Sequence, residues 1–263
     1  MITLLDYGAG NVRSVINAIE KLGETVQVAK NPRDILAAEK LVFPGVGNFG
    51  NMIHILNQKQ YMDPLQTYLN ANRPFLGICL GLHALFEASE EAPGLNGLGI
   101  LKGRARKFQI QQAVPHIGWN GIRAKHPSRL FDGLQGDEKF YFVHSFYVEP
   151  ADDAVVLTST DYDIEFTSSI QTGNILATQF HPEKSGASGQ TILGNFIKEH
   201  RQVLTPSMQP QKTKLAKRII ACLDVRANDQ GDLVVTKGDQ YDVREDGAIR
   251  NLGKPVELAQ RYY

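Results

Sequence analysis

The sequence predicts an α/β fold in which helices cover both faces of a mostly parallel β-sheet. Two observations predict it. Short apolar stretches alternate with helical patterns over residues 1–88, and glycines follow the first strand-like stretch and the first helical one. This alternation is typical of parallel sheets, because each helix carries the chain back to begin the next strand in the same direction.

The first strand and the first helix show how the elements are recognised. Ile2 to Asp6 is an apolar stretch that ends just before a glycine, and residues 11–22 place apolar side chains three or four positions apart. Gly23 then ends the helix, since glycine readily adopts the conformation of a helix cap. By the same criteria, further strands are expected at 25–29, 41–43 and 75–78, and further helices at 63–72 and 80–88.

Beyond residue 98 the pattern changes to strands joined by turns. Strands are expected at 140–148, 154–158 and 175–180, and a closing helix at 188–200. The polar, proline-bearing stretch 205–212 has the composition of a linker. The chain is therefore predicted to contain a first domain at 1–203, a linker at 204–214 and a second domain at 215–263, which opens with an apolar strand at 219–225.

Composition narrows the class of function. The 263 residues include 28 basic and 28 acidic side chains, so no net charge favours a nucleic-acid partner or a membrane surface. Two cysteines and no apolar run long enough to span a bilayer favour a reducing, cytoplasmic location. We expect no metal, because no cysteine or histidine pair has zinc spacing, and no cofactor, because Arg13 stands where a dinucleotide-binding loop needs its third glycine.

Residues 77–81 are the strongest functional signal in the sequence. They read Gly-Ile-Cys-Leu-Gly between a predicted strand and a predicted helix, which is the thiol form of the nucleophile elbow. Glycines flank Cys79 because the tight turn leaves no room for side chains, and the helix N-terminus favours the thiolate. The alternative is a buried structural cysteine, which behaves as a small apolar residue.

A base and its orienting group follow a later predicted strand. His181 and Glu183 stand two residues apart at the end of the strand predicted at 175–180, so their side chains face the same side. Glu183 can hold one ring nitrogen of His181 while the other faces Cys79, as nucleophilic catalysis requires. Alone, this His-x-Glu pattern is more often structural, but the elbow gives it a partner.

These motifs resemble the class I glutamine amidotransferases. Within that family the chain is similar to the glutaminase part of imidazole glycerol phosphate synthase, and the match covers residues 1–203. The resemblance is carried by these segments: Asp6 to Asn11, Pro44 to Gly50, Gly77 to Gly81, Val114 to Asn120, Tyr141 to Phe146 and His181 to Ser185. It implies the class I glutamine amidotransferase fold, hydrolysis of glutamine, and a synthase barrel as partner in the same chain or in another.

The resemblance also implies roles for individual residues. The catalytic triad would be Cys79, His181 and Glu183. The remaining positions fall into three groups: Val46, Gly47 and Leu80 for the oxyanion hole; His83, Glu91, His144 and Ser145 for substrate binding; and Asn11, Trp119 and Lys184 for contact with the synthase domain. His83 departs from the family, which usually has glutamine there; histidine keeps one hydrogen bond in a different shape.

The second domain resembles the opening of the partner synthase, a (β/α)8 barrel. The resemblance implies that Asp224 is an acid–base residue at the end of the first barrel strand and that Lys237 lies on a substrate-covering loop. A complete barrel needs roughly 250 residues. Residues 215–263 would therefore supply only a strand-loop-helix segment, and we expect no cyclase activity from it alone.

Two other functions fit the same motifs. One is a binding module in which the triad is intact and glutamine binding is lost through His83. The other is a different cysteine-dependent hydrolase on a similar fold. Covalent labelling of Cys79 by a glutamine-mimicking diazoketone would separate the predicted glutaminase from both.

Overall fold

The structure, a computed structural model, describes residues 1–8, residues 12–198 and the backbone of four short strands after residue 223. The chain divides into two units, Met1–Leu215 and Ala216–Tyr263. The described part of the first unit is the α/β domain that the sequence predicts. None of the described helices is long and apolar enough to cross a membrane.

Up to residue 83, the described strands of the first unit alternate with one or two helices. The α-helices are α1 (Val12–Glu20), α2 (Pro32–Ala37), α3 (Phe49–Gln58), α4 (Met62–Asn70), α5 (Leu80–His83) and α6 (Gly186–Ile197). The strands are β1 (Ile2–Leu5), β2 (Val26–Ala29), β3 (Lys40–Gly45), β4 (Phe75–Cys79), β5 (Phe86–Ser89), β6 (Leu101–Lys107), β7 (His116–Gly121), β8 (Arg123–Ala124), β9 (Lys139–His144), β10 (Phe146–Pro150), β11 (Val156–Tyr162), β12 (Ile164–Thr172) and β13 (Ile175–Thr178). Three short 3-10 helices are Arg129–Phe131, Asp153–Val155 and Pro182–Lys184.

One large mixed sheet organises the first unit. Its strand order is β2-β1-β3-β4-β13-β12-β10-β6-β5, and β11 and β8 extend it from β12. The five strands from β2 to β13 are parallel, whereas β12 and β10 join the sheet by antiparallel pairing. Since β3, β4 and β13 are adjacent and parallel, their carboxyl ends bring Val46, Cys79 and the segment leading to His181 to the same edge of the sheet.

Alternation along the central strands builds a core on each face of this sheet. Leu41 and Phe43 of β3 pack into the cluster that contains α2, α3 and α4, whereas Val42 packs into the cluster that contains α1 and α6. All three are fully buried. Because both faces are covered, the central strands are apolar at successive positions, which is the pattern that the sequence shows.

The predicted strand at 140–148 is wrong in one respect, because it is two strands. β9 ends at His144 and pairs with β7 in a separate two-stranded sheet, whereas β10 begins at Phe146 and pairs with β6 and β12 of the large sheet. Ser145 alone connects them. No glycine or proline interrupts the sequence between 140 and 148, so the change of sheet follows from pairing with distant strands and not from a local turn signal.

The predicted helix at 80–88 is also wrong beyond its first turn. α5 ends at His83, and β5 begins at Phe86 and pairs with β6. Gly97 packs so closely against Phe86 that a Cβ there would overlap the Phe86 carbonyl oxygen. Tertiary pairing therefore overrides the local helical preference. The sequence reading also assigned no element to α2 or α3, which lie between the predicted strands and helices.

The second unit is described only by two strand pairs. Asp224–Ala227 (β14) pairs antiparallel with Leu233–Thr236 (β15), and Arg244–Glu245 (β16) pairs antiparallel with Ala248–Ile249 (β17). The predicted strand at 219–225 thus overlaps β14, and Asp224 is the first residue of β14. Residues 219–223, the predicted linker at 204–214 and Lys237 lie outside the described residues. The same is true of Pro255, which is predicted to open the helix of the strand-loop-helix segment.

Candidate active site

Cys79 lies on a tight turn between β4 and α5. Its backbone has φ 54° and ψ −104°, a left-handed conformation that is strained for a residue with a side chain. Gly81 makes the turn possible, because a Cβ there would overlap the carbonyl oxygen of Phe43. A Cβ on Gly77 would likewise lie 2.7 Å from the Gly81 carbonyl oxygen. The two glycines of the elbow are therefore required by close backbone approach.

The surroundings of Cys79 differ from the sequence-based expectation in two ways. A nucleophile elbow normally exposes its nucleophile, but Cys79 is only 8% exposed and packs with the apolar cluster that includes Ile78 and Phe180. Moreover, α5 is a single turn of helix, so the dipole at its N-terminus is smaller than that of the predicted longer helix. α5 therefore contributes less to the stabilisation of negative charge at the sulfur than the predicted longer helix would.

His181 and Glu183 form a buried pair beside Cys79. Nδ1 of His181 lies 2.7 Å from Oε1 of Glu183, and both side chains are 2% exposed. The backbone N–H of His181 donates to the Tyr141 carbonyl, and the Ser185 hydroxyl donates to the His181 carbonyl, which fixes the segment. Because Glu183 occupies Nδ1, Nε2 is the ring nitrogen that remains available to Cys79.

The charge state of His181 is set by its two neighbours. Burial by itself would lower the pKa of His181, but Cys79 and Glu183 together outweigh it and raise that pKa to about 10. Nε2 of His181 is buried, and it has no hydrogen-bond partner of standard geometry within the described residues. Cys79 is nevertheless close enough to raise the pKa of His181. At neutral pH the ring is therefore expected to be a cation, which places a positive charge beside the sulfur of Cys79.

A cavity of about 450 Å³ opens over Cys79. It includes all the predicted triad residues except Glu183, together with positions predicted for the oxyanion hole and for substrate binding. Its lining residues are Val46, Gly47, Cys79, Leu80, His83, Glu91, Pro115, Val143, His144, Ser145, Phe146, His181 and Lys184. A cavity of this size accommodates a small molecule such as an amino acid. No group of three potential metal ligands occurs among the residues that the structure describes.

His83 is buried at the inner wall of this cavity. Its Nε2 lies 2.8 Å from Oε1 of Gln179, and Nε2 of Gln179 lies 3.6 Å from the sulfur of Cys79. Burial lowers the pKa of His83 to about 4, although the hydrogen bond to Gln179 opposes this. The ring is therefore neutral at physiological pH. Sequence reasoning did not identify Gln179, although it stands two residues before His181.

The hydroxyl group of Tyr7 forms hydrogen bonds with the backbone of Val46, in the predicted oxyanion segment. Its hydroxyl donates to the Val46 carbonyl at 2.7 Å and accepts from the Val46 N–H at 3.2 Å. In this structure the Val46 N–H is thus not directed at a position above Cys79. Gly47, with φ 97°, and Leu80, at the start of α5, lie at the cavity wall. Sequence reasoning also missed Tyr7, which follows the end of β1.

The other residues predicted to bind substrate lie around the cavity. One carboxylate oxygen of Glu91 accepts from the Phe49 N–H at the start of α3, so Glu91 is tied to the element that follows Gly47. His144 is buried and its Nδ1 lies 2.8 Å from the Phe146 carbonyl, which requires Nδ1 to carry the proton. Ser145 is the connection between the two sheets. The structure thus brings all four positions to one cavity.

The predicted interface positions are only partly described. Trp119 of β7 stands opposite Tyr141 of β9, and their rings meet edge to face at 6.1 Å. Lys184 places its ammonium 5.8 Å from the centre of the same Tyr141 ring, and Ile117 is 59% exposed. These residues make the small sheet an apolar, partly exposed surface. Asn11 and Lys237 lie outside the described residues, and only the backbone of Asp224 is described.

The fold and the site together define a class I glutamine amidotransferase domain. The family model for "Glutamine amidotransferase class-I" matches residues 3–200. Two solved structures share the fold over 74% of this chain. One is a glutamine amidotransferase, with a TM-score of 0.60, 16% identity and 98% of its own length covered; the other is PurLQS from Thermotoga maritima, with a TM-score of 0.59, 16% identity and 96% covered.

The curated relatives are more specific. Imidazole glycerol phosphate synthase hisHF from Arabidopsis thaliana is 48% identical over 270 residues, which cover all of this chain and 45% of that protein. Subunit HisH 1 of the synthase from Methanococcus maripaludis is 44% identical over 200 residues, which cover 75% of this chain and 98% of that protein. The chain therefore belongs to the imidazole glycerol phosphate synthase branch of the class I glutamine amidotransferases, and it spans about half the length of the fused relatives that it matches.

Proposed function

We propose that this chain hydrolyses glutamine to glutamate and ammonia, and that the ammonia serves imidazole glycerol phosphate synthesis in histidine biosynthesis. The observation that supports this most directly is the buried arrangement of Cys79, His181 and Glu183 at the base of a cavity large enough for glutamine. Covalent catalysis requires a nucleophile, a base and an orienting group in this order.

The first half of the reaction forms a thioester. The Cys79 thiolate attacks the side-chain amide carbon of glutamine, and the carbonyl oxygen becomes an oxyanion. We assign the stabilisation of this charge to the backbone N–H groups of Gly47 and Leu80, each contributing about 3 kcal/mol. The His181 cation then donates its Nε2 proton to the leaving nitrogen, the carbon–nitrogen bond breaks, and ammonia departs.

The second half of the reaction returns the enzyme to its starting state. Neutral His181 removes a proton from water, and the resulting hydroxide attacks the thioester carbon. Cys79 leaves as the thiolate, and glutamate is released. Glu183 orients the ring through Nδ1 and stabilises each cationic state of His181. Glu91 is the carboxylate in the cavity that can pair with the α-ammonium group of glutamine.

We also infer that the ammonia is passed to a synthase barrel, either in the same chain or in a separate one. The fused relatives in Arabidopsis thaliana and Schizosaccharomyces pombe and the subunit form in Methanococcus maripaludis support both arrangements. The surface formed by Ile117, Trp119 and Tyr141 is the apolar face that suits such contact. Asp224 and Lys237 are proposed as synthase residues on the basis of the resemblance.

The glutaminase is tested by replacing its nucleophile. Cys79→Ala in the full chain should abolish the release of glutamate from glutamine while leaving the far-UV circular dichroism close to that of the unmodified protein. Cys222→Ala is the matched control and should retain activity. Release at the unmodified rate by Cys79→Ala would show that the nucleophile is wrong. Failure of a diazoketone to label Cys79 would favour one of the two alternatives, a binding module or a different cysteine-dependent hydrolase.

A further inference from the structure

A chain of buried side chains runs from the cavity wall to the sulfur of Cys79. Gln179 is fully buried, and its amide nitrogen lies 3.6 Å from Sγ, which is hydrogen-bonding distance for sulfur. Its amide oxygen lies 2.8 Å from Nε2 of His83, which is 3% exposed. Neither His83 nor Gln179 belongs to the triad, although this series of hydrogen bonds ends at the sulfur of Cys79, which is the reacting atom.

The chemistry of the amide and imidazole groups decides which group donates and which accepts in each of these hydrogen bonds. An amide oxygen can only accept a hydrogen bond, so Nε2 of His83 must carry the proton that it shares with Gln179. The neutral ring then has its lone pair on Nδ1, which is buried and has no partner within the described residues. His83 is therefore a donor towards Gln179, and Gln179 is a donor towards Cys79.

This direction matters because an amide has two different ends. If the Gln179 amide were turned over, its oxygen would face the sulfur, and the lone pairs would repel a thiolate. With the oxygen held by His83, the NH₂ group is left to face Sγ. A donor that contacts a buried anion lowers its free energy more than it lowers that of the neutral form.

We propose that Gln179 is a catalytic hydrogen-bond donor to the Cys79 thiolate and that His83 is a positioning residue that fixes the orientation of the Gln179 amide. This inference rests on the proposed nucleophilic role of Cys79. It gives His83 a function besides the substrate contact that the family resemblance implies. It also predicts that the residue at position 83 must donate a hydrogen bond to the Gln179 amide oxygen.

The pH profile of Cys79 alkylation tests this without using glutamine. The full chain is treated with iodoacetamide between pH 5 and 9, and modification of the Cys79 peptide is followed by mass spectrometry so that Cys222 does not interfere. Gln179→Met, which removes the donor at similar volume, should move the midpoint up by about one pH unit, so that alkylation below the midpoint slows about tenfold. Gln171→Met, at a partly exposed position of β12, is the matched control and should leave the profile unchanged.

Two variants at position 83 test the positioning role. His83→Leu should shift the profile in the same direction as Gln179→Met, whereas His83→Gln can donate to the Gln179 oxygen and should restore most of the unmodified midpoint. A merely structural role would not predict this rescue. If Gln179→Met is unfolded by circular dichroism, Gln179→Asn replaces it, because the shorter side chain withdraws the donor and stays polar.

The outcomes separate the two hypotheses. An unchanged midpoint in a folded Gln179 variant would overturn the proposed hydrogen bond, whatever the glutaminase activity. An equal shift in both His83 variants would overturn the positioning role of His83. If the predicted shifts occur but the unmodified protein does not hydrolyse glutamine, the hydrogen-bond chain stands and the proposed function fails.

Discussion

Four buried histidines show how strongly local partners decide the charge of a side chain. Burial lowers the pKa of His83 and of His116 to about 4, and it lowers that of His144 well below its usual value. His181 is equally buried, but the sulfur of Cys79 and the carboxylate of Glu183 raise its pKa to about 10. Only His181 among them has both partners, so it alone is expected to carry a charge at neutral pH.

The carboxylate of Glu183 should therefore be essential to turnover. Glu183→Gln keeps the shape of the side chain but removes the charge that stabilises the His181 cation, so kcat should fall by about 10²-fold or more. KM should change less, because Glu183 does not line the cavity. Glu149→Gln, at an exposed ion pair with Arg106, is the control. A fall in kcat of less than about threefold would contradict the assigned role.

At the scale of elements, the turn after β4 depends on a glycine with no room beside it. Gly81→Ala should prevent the elbow from forming, because the new methyl group would overlap the Phe43 carbonyl in β3. We expect loss of soluble protein or a fall in the unfolding free energy of more than about 3 kcal/mol in urea. Gly121→Ala, where a Cβ meets nothing within 4 Å, should cost little. Equal stability of the two variants would contradict the close approach.

The elements that the sequence predicts well are those whose pattern is local. β1, β3, β4 and α6 follow from apolar runs and helical spacing because both faces of the parallel sheet are covered. The break at Ser145 and the early end of α5 were missed, because pairing with β6 decides both and β6 is distant from them in the sequence. Local preference cannot reveal which of two sheets a strand joins.

The same distinction applies to the site. The triad could be predicted because Cys79 lies in a recognisable turn and because His181 and Glu183 are two residues apart. Tyr7 and Gln179 could not, since the Tyr7 hydroxyl bonds a residue 39 positions away and Gln179 contacts a sulfur 100 positions away. Only the folding of β1, β3, β4 and β13 into one sheet brings these atoms together.

At the scale of the whole molecule, the buried histidines should give stability a maximum near neutral pH. Between pH 6.5 and 4 the unfolded chain binds protons that His83 and His116 do not, so the unfolding free energy should fall as the pH falls. His181 has a raised pKa, so its contribution is complete below pH 6.5 and is lost as the pH rises towards 10.

Urea unfolding between pH 4 and 9.5 would measure both limbs. His116→Phe should flatten the acid limb by about 1–3 kcal/mol, whereas substitution of the exposed His54 by Gln should leave it unchanged. Cys79→Ala removes a partner of His181 and should flatten the alkaline limb. An acid limb that is identical in the unmodified protein and His116→Phe would show that this histidine is not buried in its neutral form.

Association with a synthase barrel should also change the behaviour of the whole molecule. Adding a separately expressed complete barrel to this chain should raise the rate of glutamine hydrolysis, measured as ammonia release, because docking would rearrange the segment near Val46 that Tyr7 holds. Trp119→Ala, on the exposed small sheet, should reduce the rise without changing the rate of the isolated chain. No rise with the unmodified chain would contradict the partner assignment.

The hydrogen bonds of the Tyr7 hydroxyl affect how much glutamine is hydrolysed when no acceptor for the ammonia is bound. An amidotransferase that hydrolysed glutamine while no acceptor was bound would lose a nitrogen donor at every idle turnover. While the Tyr7 hydroxyl is hydrogen-bonded to both the N–H and the carbonyl of Val46, the Val46 N–H is not available as an oxyanion donor. Two hydrogen bonds of about 0.5–1.5 kcal/mol each would slow idle turnover by roughly 5- to 150-fold. A single phenol at the end of the first strand would then separate a resting enzyme from a wasteful one.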